Sequence, residues 1–277
     1  MTRITPLKKS VFALAMLACS SAVFAQAPNL ADPRVIINRL SPDYRQFNAV
    51  GIVYPITKTD GLVVMSKYRG TGVLISPCHL LTNYHVAFEA TRKEVMFEVG
   101  QPAGKDVAGF VLRGVGRIID AGPFWADADT VDDWALVKLI DPQSGRSQKL
   151  GDQVGYFEFA VAPPAAVMNR PLISAGYPGG MNAGLVGHLG CRLARVDPDS
   201  RWRMACSMTE GQSGGPVTLR TADRGEVLIA INSAKPDGRS GIVGTEEVRL
   251  SNLNYATAIT RAAETRIRRG MDANRCD

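Results

Sequence analysis

Histidine is scarce in this chain of 277 residues, which contains only His79, His85 and His188. Any chemistry that needs an imidazole must therefore use one of these three. The sequence lacks a Cys-x-x-Cys pair, a common ligand spacing of structural zinc sites, and its glycine-rich stretch 176–180 lacks the Lys-Ser/Thr of a phosphate-binding loop. No cluster of Lys and Arg with interleaved aromatic residues occurs, so a nucleic-acid partner has little support. We expect neither a metal nor a cofactor.

Long apolar runs are lacking except near the start, where residues 11–24 are mostly apolar. A basic beginning, this short run and a small residue before Gln26 are typical of a secretory signal peptide, and the run is too short for a spanning helix. We predict removal of residues 1–25, with cleavage after Ala27 as the second choice. The protein is then exported, periplasmic or secreted, without stable membrane insertion. The remaining chain has 29 basic and 26 acidic residues, a net charge of +3.

Four cysteines remain after export: Cys78, Cys191, Cys206 and Cys276. An even number in an oxidising compartment favours disulfides. Cys191 and Cys206 flank residues 196–200, which are typical of a turn between two strands, so we predict that they pair across a hairpin. Cys78 and Cys276 would then pair by elimination, but the sequence leaves that pairing open.

Beyond residue 47, short apolar runs alternate with Gly, Pro, Asn and Asp, a pattern typical of an all-β sandwich or barrel. Helical signal is confined to 83–90 and to 257–271, where apolar residues are spaced for a terminal helix. The predicted strands are 50–53, 62–65, 72–75, 80–82, 95–99, 110–119, 134–140, 172–177, 185–194, 202–206, 217–219 and 227–231.

A divide between two β units falls near Gly151, after a polar stretch. We therefore assign residues 46–150 to an N-terminal β-barrel and 151–277 to a C-terminal β-barrel with the terminal helix. Residues 26–45 are rich in Pro and Asn and have little periodicity, so we predict an extended or pro segment there.

A glycine-bracketed serine, Ser213, lies in Gly-Gln-Ser-Gly-Gly-Pro at residues 211–216. Glycine tolerates the sharp backbone path that brings main-chain N–H groups together, and such groups stabilise an oxyanion. We assign the oxyanion hole to the N–H groups of Gly211 and Ser213. A serine hydroxyl becomes a useful nucleophile when a neutral imidazole takes its proton and a carboxylate holds that imidazole in the right tautomer.

His85 and Asp133 can supply these two groups. His85 lies in Thr-Asn-Tyr-His-Val at a strand-to-helix corner, and Asp133 directly precedes an apolar run. A carboxylate buried where a loop enters a strand needs a partner, and the ring N–H of His85 is the natural one; Asp132 is the rival. We expect His79 to pack or to face solvent. His188 is predicted to be a strand histidine, with a position near the substrate pocket as the alternative.

Together these motifs resemble those of bacterial trypsin-like serine peptidases, most nearly the glutamyl-endopeptidase branch of the chymotrypsin superfamily. The resemblance covers about residues 35–265 and includes Gly-Thr-Gly at 70–72. The chain order His, Asp, Ser is that of chymotrypsin-type enzymes, whereas subtilisins and α/β-hydrolases use other orders. The resemblance implies two packed six-stranded antiparallel β-barrels and a C-terminal α-helix. It makes His85 the general base, Asp133 its orienting carboxylate and Ser213 the nucleophile.

Gln212 departs from the animal digestive relatives, which have an aspartate before the serine. Their zymogen switch, in which a new N-terminus pairs with that aspartate, cannot operate here. Arg-Val-Ile-Ile at residues 34–37 nevertheless resembles a processing site of bacterial relatives. We hypothesise that cleavage before Val35 accompanies maturation; an active form that starts at Gln26 would contradict this.

The substrate pocket is expected to have Ser207, Met208 and Thr209 at its floor and Asn232 and Ser233 on its wall. Glutamate-preferring relatives have a Thr and a His where Met208 and Asn232 align, so we do not transfer their preference. No acidic residue lies at the floor, which argues against selection of Lys or Arg. We expect uncharged substrate side chains of moderate size.

The sequence therefore predicts an exported serine endopeptidase that forms an acyl-enzyme on Ser213 and then transfers it to water. Its partners are protein or peptide substrates, and we expect a monomer. The alternative is a catalytically silent protein of the same fold that binds peptides or a protein partner; the presence of all three catalytic groups argues against it. An esterase is a weaker third option, because the residue order differs from that of the usual esterase fold.

Overall fold

The computed structural model describes residues 32–59, 62–88, 94–100, 111–123, 132–141, 144–179, 184–198, 200–233 and 253–277. The strands are β1 (Val35–Ile36), β2 (Val50–Thr59), β3 (Leu62–Met65), β4 (Gly70–Leu74), β5 (His79–Thr82), β6 (Glu94–Val99), β7 (Leu112–Ala121), β8 (Ala135–Ile140), β9 (Leu172–Gly176), β10 (Val186–Cys191), β11 (Leu193–Val196), β12 (Trp202–Met204), β13 (Pro216–Thr221), β14 (Gly225–Ser233) and β15 (Asn254–Ala258). The helices are α1 (Tyr84–Ala87), α2 (Gly151–Val154), α3 (Pro164–Val167), α4 (Arg261–Ala273) and a 3-10 helix, Pro42–Ala49.

Each apolar run that the sequence predicted as a strand overlaps a strand of the structure. The run 185–194 is divided into β10 and β11. Strands β1 and β15 were not predicted, and neither were α2, α3 and the 3-10 helix, so helical structure is not confined to the two expected places.

The first sheet is a closed barrel of six antiparallel strands. Its order is β2-β4-β5-β8-β7-β6, with β6 pairing back onto β2, and β3 forms a hairpin with β2. The core contains the fully buried side chains of Leu80, Phe97 and Leu136. Gly51 of β2 lies against Phe97, where a Cβ atom would be 2.6 Å from ring atom Cε2. The absence of a side chain at Gly51 therefore lets this ring pack against the strand.

The second sheet has eight antiparallel strands in the order β1-β10-β9-β13-β14-β15-β12-β11 and forms a half-barrel over the described residues. Trp202, Leu219 and Ile229 are among its buried apolar residues. The predicted disulfide is present: Cys191 at the end of β10 is bonded to Cys206, with a Cα–Cα distance of 5.0 Å.

The two ends of the described chain pack on opposite sheets. β1 pairs with β10 of the second sheet, whereas α4 packs on the first barrel. Arg266 of α4 lies over the Trp134 ring, 5.1 Å from its centroid, and is hydrogen-bonded to the Asp120 carboxylate. Beyond α4, Cys276 is bonded to Cys78, next to β5, which gives the pairing that the sequence left open.

The terminal helix begins later than its predicted start at residue 257. Thr257 and Ala258 belong to β15, which pairs with β14. The helix starts after Thr260, whose Oγ1 accepts a hydrogen bond from the N–H of Ala263 at 3.1 Å, as an N-cap residue does. Sheet pairing therefore outweighs the helical spacing of these residues.

The predicted all-β double-barrel architecture with a C-terminal helix is confirmed, with the first barrel closed and the second forming a half-barrel. Among the described residues, no helix is both long and apolar enough to cross a membrane. The residues of the candidate site lie in or next to β4, β5, β8, β12, β13 and β14.

Candidate active site

His85 is held at the corner between β5 and α1 by Asp133. Its ring Nδ1 lies 2.5 Å from Asp133 Oδ2, and its main-chain N–H donates to Asp133 Oδ1 at 3.0 Å. The Asp133 side chain is 1% exposed, whereas that of His85 is 30% exposed. Because an ionised carboxylate only accepts hydrogen bonds, Nδ1 carries the proton and Nε2 is left as the basic atom.

Asp133 lies just before β8 and is itself held in place. Ser233 Oγ donates to Asp133 Oδ2 at 3.2 Å, and the side-chain amide of Asn83 donates to the Asp133 carbonyl oxygen at 2.7 Å. A buried charge needs such partners. The carbonyl oxygen of Asp132 accepts the N–H of Trp134. The structure thus brings to His85 the aspartate that the sequence analysis preferred over Asp132.

The pair also changes the acid–base properties of His85. Burial of the ring lowers the pKa of His85, but the charge of Asp133 and its hydrogen bond together raise it by more. The resulting pKa of His85 lies above the ordinary histidine value of 6.5. His85 Nε2 is therefore a stronger base than that of a free histidine.

Ser213 lies in a turn that is tightly bonded to its surroundings. The N–H of Gln212 donates to the carbonyl oxygen of Thr209 at 3.1 Å, and the N–H of Gly214 donates to that of Asn232 at 2.8 Å. The carbonyl oxygen of Ser213 accepts the N–H of Thr71 at 2.7 Å. The serine is therefore fixed both to its own sheet and to β4 of the first barrel.

The serine turn packs directly against the corner that carries His85. A Cβ atom at Gly214 would lie 2.3 Å from Thr82 Oγ1 and 3.1 Å from the nitrogen of Asn83. Gly214 also has a φ of +83°, which favours glycine. Only glycine lets this turn approach the end of β5 so closely, two residues before His85.

The serine turn contains two main-chain N–H groups that have no acceptor among the described residues. The N–H groups of Gln212, Gly214 and Gly215 donate within the second sheet and its loops, whereas those of Gly211 and Ser213 donate to no residue that the structure describes. The carbonyl oxygen of Glu210 accepts the N–H of Gly179 at 2.6 Å. Since the carbonyl and N–H of one trans peptide point in opposite directions, this bond turns the Gly211 N–H away from Gly179.

Thr71 is a residue of the site that the sequence analysis did not single out. It is fully buried, and its Oγ1 donates to the carbonyl oxygen of Gly211 at 2.8 Å and accepts the N–H of Tyr177 at 2.9 Å. Its carbonyl oxygen accepts the Thr82 hydroxyl at 2.7 Å. Thr71 therefore joins the first barrel to the proposed oxyanion turn. The Gly-Thr-Gly motif of the sequence was its only signal.

The five predicted pocket residues have different environments. Ser207 and Met208 are buried, and Thr209 is partly buried. Asn232 accepts the Ser174 hydroxyl through Oδ1 and donates to the Ala175 carbonyl through Nδ2. The Ser233 hydroxyl donates to the buried carboxylate of Asp133. The polar atoms of the two wall residues are therefore engaged inside the fold.

The other two histidines have partners of their own. His79 is 2% exposed; its Nδ1 accepts from Ser76 Oγ at 2.7 Å and its Nε2 donates to the carbonyl oxygen of Asn274 at 3.0 Å. His188 Nδ1 accepts the N–H of Ser207 at 2.9 Å. Burial lowers the pKa of both histidines. His79 is thus a packed histidine, and His188 supports a residue at the predicted pocket floor.

One group of metal-ligand residue types occurs in the described ranges: Cys78, His79 and Cys276, with ligand atoms within 4.8 Å of one another. Both sulfur atoms belong to one disulfide. A metal binds the thiolate form of cysteine, so this group does not hold an ion while the bond is intact.

The fold is that of a chymotrypsin-like double barrel, and it brings a histidine–aspartate pair next to a glycine-rich serine turn. A sequence model of the trypsin-like peptidase domain matches residues 70–231, more than half of the chain. The chain therefore belongs to the trypsin-like peptidase family and is a serine endopeptidase, as its motifs predicted. No curated protein matches the sequence.

Solved structures of other peptidases share the fold. A Glu endopeptidase in complex with MPD has a TM-score of 0.57 and 17% identity, over 87% of this chain and 97% of that one. The protease Anisep from Arthrobacter nicotinovorans has a TM-score of 0.55 and 17% identity, over 80% and 95%. A thermostable serine protease AL20 from an extremophilic microorganism has a TM-score of 0.55 and 17% identity, over 83% and 100%. At this identity the likeness shows the fold.

Proposed function

We propose that this protein is an exported serine endopeptidase that hydrolyses peptide bonds through His85, Asp133 and Ser213. Ser213 Oγ attacks the carbonyl carbon of the scissile bond while its proton passes to His85 Nε2. The C–N bond then breaks as His85 gives that proton to the leaving amine, and an acyl group remains on Ser213. Water repeats the sequence with His85 as its base and releases the acid. Asp133 stabilises the imidazolium in both halves of the reaction.

The observation that carries the proposal is the Asp133–His85 pair together with the main-chain N–H groups of Gly211 and Ser213, which have no acceptor in the described ranges. The first supplies a base with a defined tautomer. The second supplies donors for the negative charge that develops on the carbonyl oxygen in the tetrahedral intermediate. A protein that only binds peptides requires neither feature, so their combination favours turnover over the silent alternative.

Export is supported by cysteine usage. The four cysteines after residue 25 form two disulfides, which persist in oxidising compartments such as the periplasm and the external medium. The predicted signal peptide, residues 1–25, lies outside the described residues, and its support is the amino-acid composition of that stretch.

Labelling with a fluorophosphonate probe tests the nucleophile. Wild type and a Ser144→Ala control, which changes an exposed loop serine, should be labelled, whereas Ser213→Ala and His85→Ala should not, because the probe reacts only with an activated hydroxyl. Intact mass spectrometry measures the adduct. Labelling that persists in Ser213→Ala would show that another serine reacts. A folded wild type that remains unlabelled would favour the silent peptide-binding protein.

The preferred substrate residue on the acyl side of the scissile bond is expected to be uncharged. Ser207 and Met208 at the proposed floor are uncharged and buried, and the guanidinium of Arg34 next to Thr209 is paired with Asp32. A peptide-library digest analysed by mass spectrometry should show cleavage mainly after uncharged residues, and Met208→Asp should increase cleavage after Lys and Arg. Wild-type cleavage restricted to Glu, or to Lys and Arg, would contradict this assignment.

A further inference from the structure

Arg34 places a buried cation behind the serine turn. Its side chain is only 5% exposed although it comes from the segment just before β1. Nη1 donates to Gln212 Oε1 at 2.5 Å and to Thr209 Oγ1 at 2.7 Å. The other edge of the guanidinium is bonded to the Asp32 carboxylate, with Nη2–Oδ2 at 2.7 Å and Nε–Oδ1 at 3.0 Å. Asp32 thus neutralises and orients the cation from within the same segment.

Gln212 and Thr209 are the two ends of the turn that contains Gly211. Gln212 is fully buried, and its Oε1 also accepts the N–H of Thr209 at 3.0 Å and the Thr209 hydroxyl at 3.3 Å. Its Nε2 finds no acceptor among the described residues. The orientation of this amide therefore depends on the donors to Oε1, and Arg34 provides the charged one, which forms the stronger kind of hydrogen bond.

The sheet fixes the position from which Arg34 reaches the turn. Val35 and Ile36 pair with Gly187 and Val186 of β10, and the N–H of Ile37 donates to the carbonyl oxygen of Leu185 at 3.0 Å. Within the Arg-Val-Ile-Ile stretch that resembles a processing site, Val35 and Ile36 thus form an edge strand in the uncut chain. The side chain of Arg34 is attached to that strand through one peptide bond.

We propose that Arg34 is a positioning residue, which holds the turn 209–213 in the conformation in which the N–H groups of Gly211 and Ser213 meet the oxyanion. The inference rests on the proposed function, since it concerns the same site. It follows that the active protein keeps the bond between Arg34 and Val35. Cleavage there would detach the guanidinium from the strand that positions it, so processing before Val35 is not the activating step.

Kinetics of Arg34→Met provide the first test. Methionine retains an apolar stem of similar reach and loses every donor, so kcat should fall roughly 10- to 100-fold while KM changes little, because misplaced oxyanion donors act on the transition state. A peptide trifluoromethyl ketone, which forms a tetrahedral adduct, should bind more weakly by the same factor. Arg34→Lys keeps the charge but loses the planar set of guanidinium donors, so its kcat should lie between those of wild type and Arg34→Met. Arg195→Met is the matched control, since Arg195 also pairs with an aspartate but lies on β11 at the other edge of the sheet.

A second measurement separates this inference from the proposed function. Hydrogen exchange of the segment 207–214 should become faster in Arg34→Met and stay unchanged in Arg195→Met, whether or not the protein hydrolyses peptides. Equal kcat and equal exchange in wild type and Arg34→Met would overturn the inference while leaving Ser213-dependent hydrolysis intact. Mass spectrometry of the probe-labelled protein should find Arg34 still attached, and a fully active species that begins at Val35 would also overturn it.

Discussion

Replacing Asp133 with Asn is expected to lower kcat about 10⁴-fold while leaving the protein folded. The Asp133 carboxylate accepts three hydrogen bonds, from the main chain and ring of His85 and from Ser233. An asparagine has only one oxygen, which the main-chain N–H of His85 would take. Its NH₂ group would then face the ring, so that Nδ1 accepts and Nε2 carries the proton. Nε2 could no longer take the proton of Ser213.

The dependence of kcat/KM on pH should also differ between wild type and Asp133→Asn. Asp133 raises the pKa of His85 above 6.5, and the base is active only when neutral, so wild-type kcat/KM should rise with pH through an apparent pKa above 6.5. Without the negative charge, the remaining effect of burial lowers the pKa of His85, and the rise should move to lower pH. Ester hydrolysis measured across this range tests both the rate and the shift.

Asp132→Asn serves as the control for both measurements. Asp132 contacts Trp134 through its main-chain carbonyl oxygen, which the substitution preserves. We therefore expect kcat to stay within a few-fold of wild type and the apparent pKa of the pH profile to stay unchanged. A loss in Asp132→Asn as large as that in Asp133→Asn would show that the wrong carboxylate has been assigned. If kcat/KM of Asp133→Asn rises with pH through the same apparent pKa as in wild type, His85 is not the titrating base.

The sequence predicts those parts of the fold and site that depend on short stretches of chain. Strands such as β6 and β8 are runs of apolar residues bounded by turn residues, and the His, Asp and Ser motifs each lie within a few residues. β15 was not predicted because Ala258 fits the apolar helical spacing of α4, so residues 257 and 258 were included in the predicted helix. Its conformation is decided by pairing with β14 and β12, which no local pattern records.

The supporting contacts of the site were not predictable for a related reason. Thr71 reaches Gly211 across 140 positions of sequence, and Arg34 reaches Gln212 across 178. Threonine and arginine in those local contexts are compatible with many environments. Only the packing of the two sheets shows that these side chains converge on one turn. The hydrogen bond from the Ser233 hydroxyl to Asp133, 100 positions away in sequence, was not predictable for the same reason.

Removing the disulfide between Cys78 and Cys276 is expected to cost more stability than removing the other one. It links residues 198 positions apart, whereas Cys191 and Cys206 are 15 apart. In the chain-entropy model, cross-linking the longer loop restricts the unfolded state more, which amounts to about 5 kcal/mol against about 3 kcal/mol. The native structure should change little in Cys78→Ala/Cys276→Ala, because Arg266 and its contacts to Asp120 and Trp134 still hold α4 on the first barrel.

Urea unfolding of the two double-alanine variants, followed by tryptophan fluorescence, measures this difference. The variant without Cys78–Cys276 should have the lower midpoint, and its slope should increase because the released chain exposes more surface when it unfolds. The variant lacking Cys191–Cys206 is the matched control, since it also loses two sulfur atoms from buried or partly buried positions. Equal midpoints would mean that contacts of the native state, rather than loop length, determine what each bond contributes. The His79 hydrogen bonds to Ser76 and Asn274, which lie beside the first disulfide, would then be the next contacts to remove.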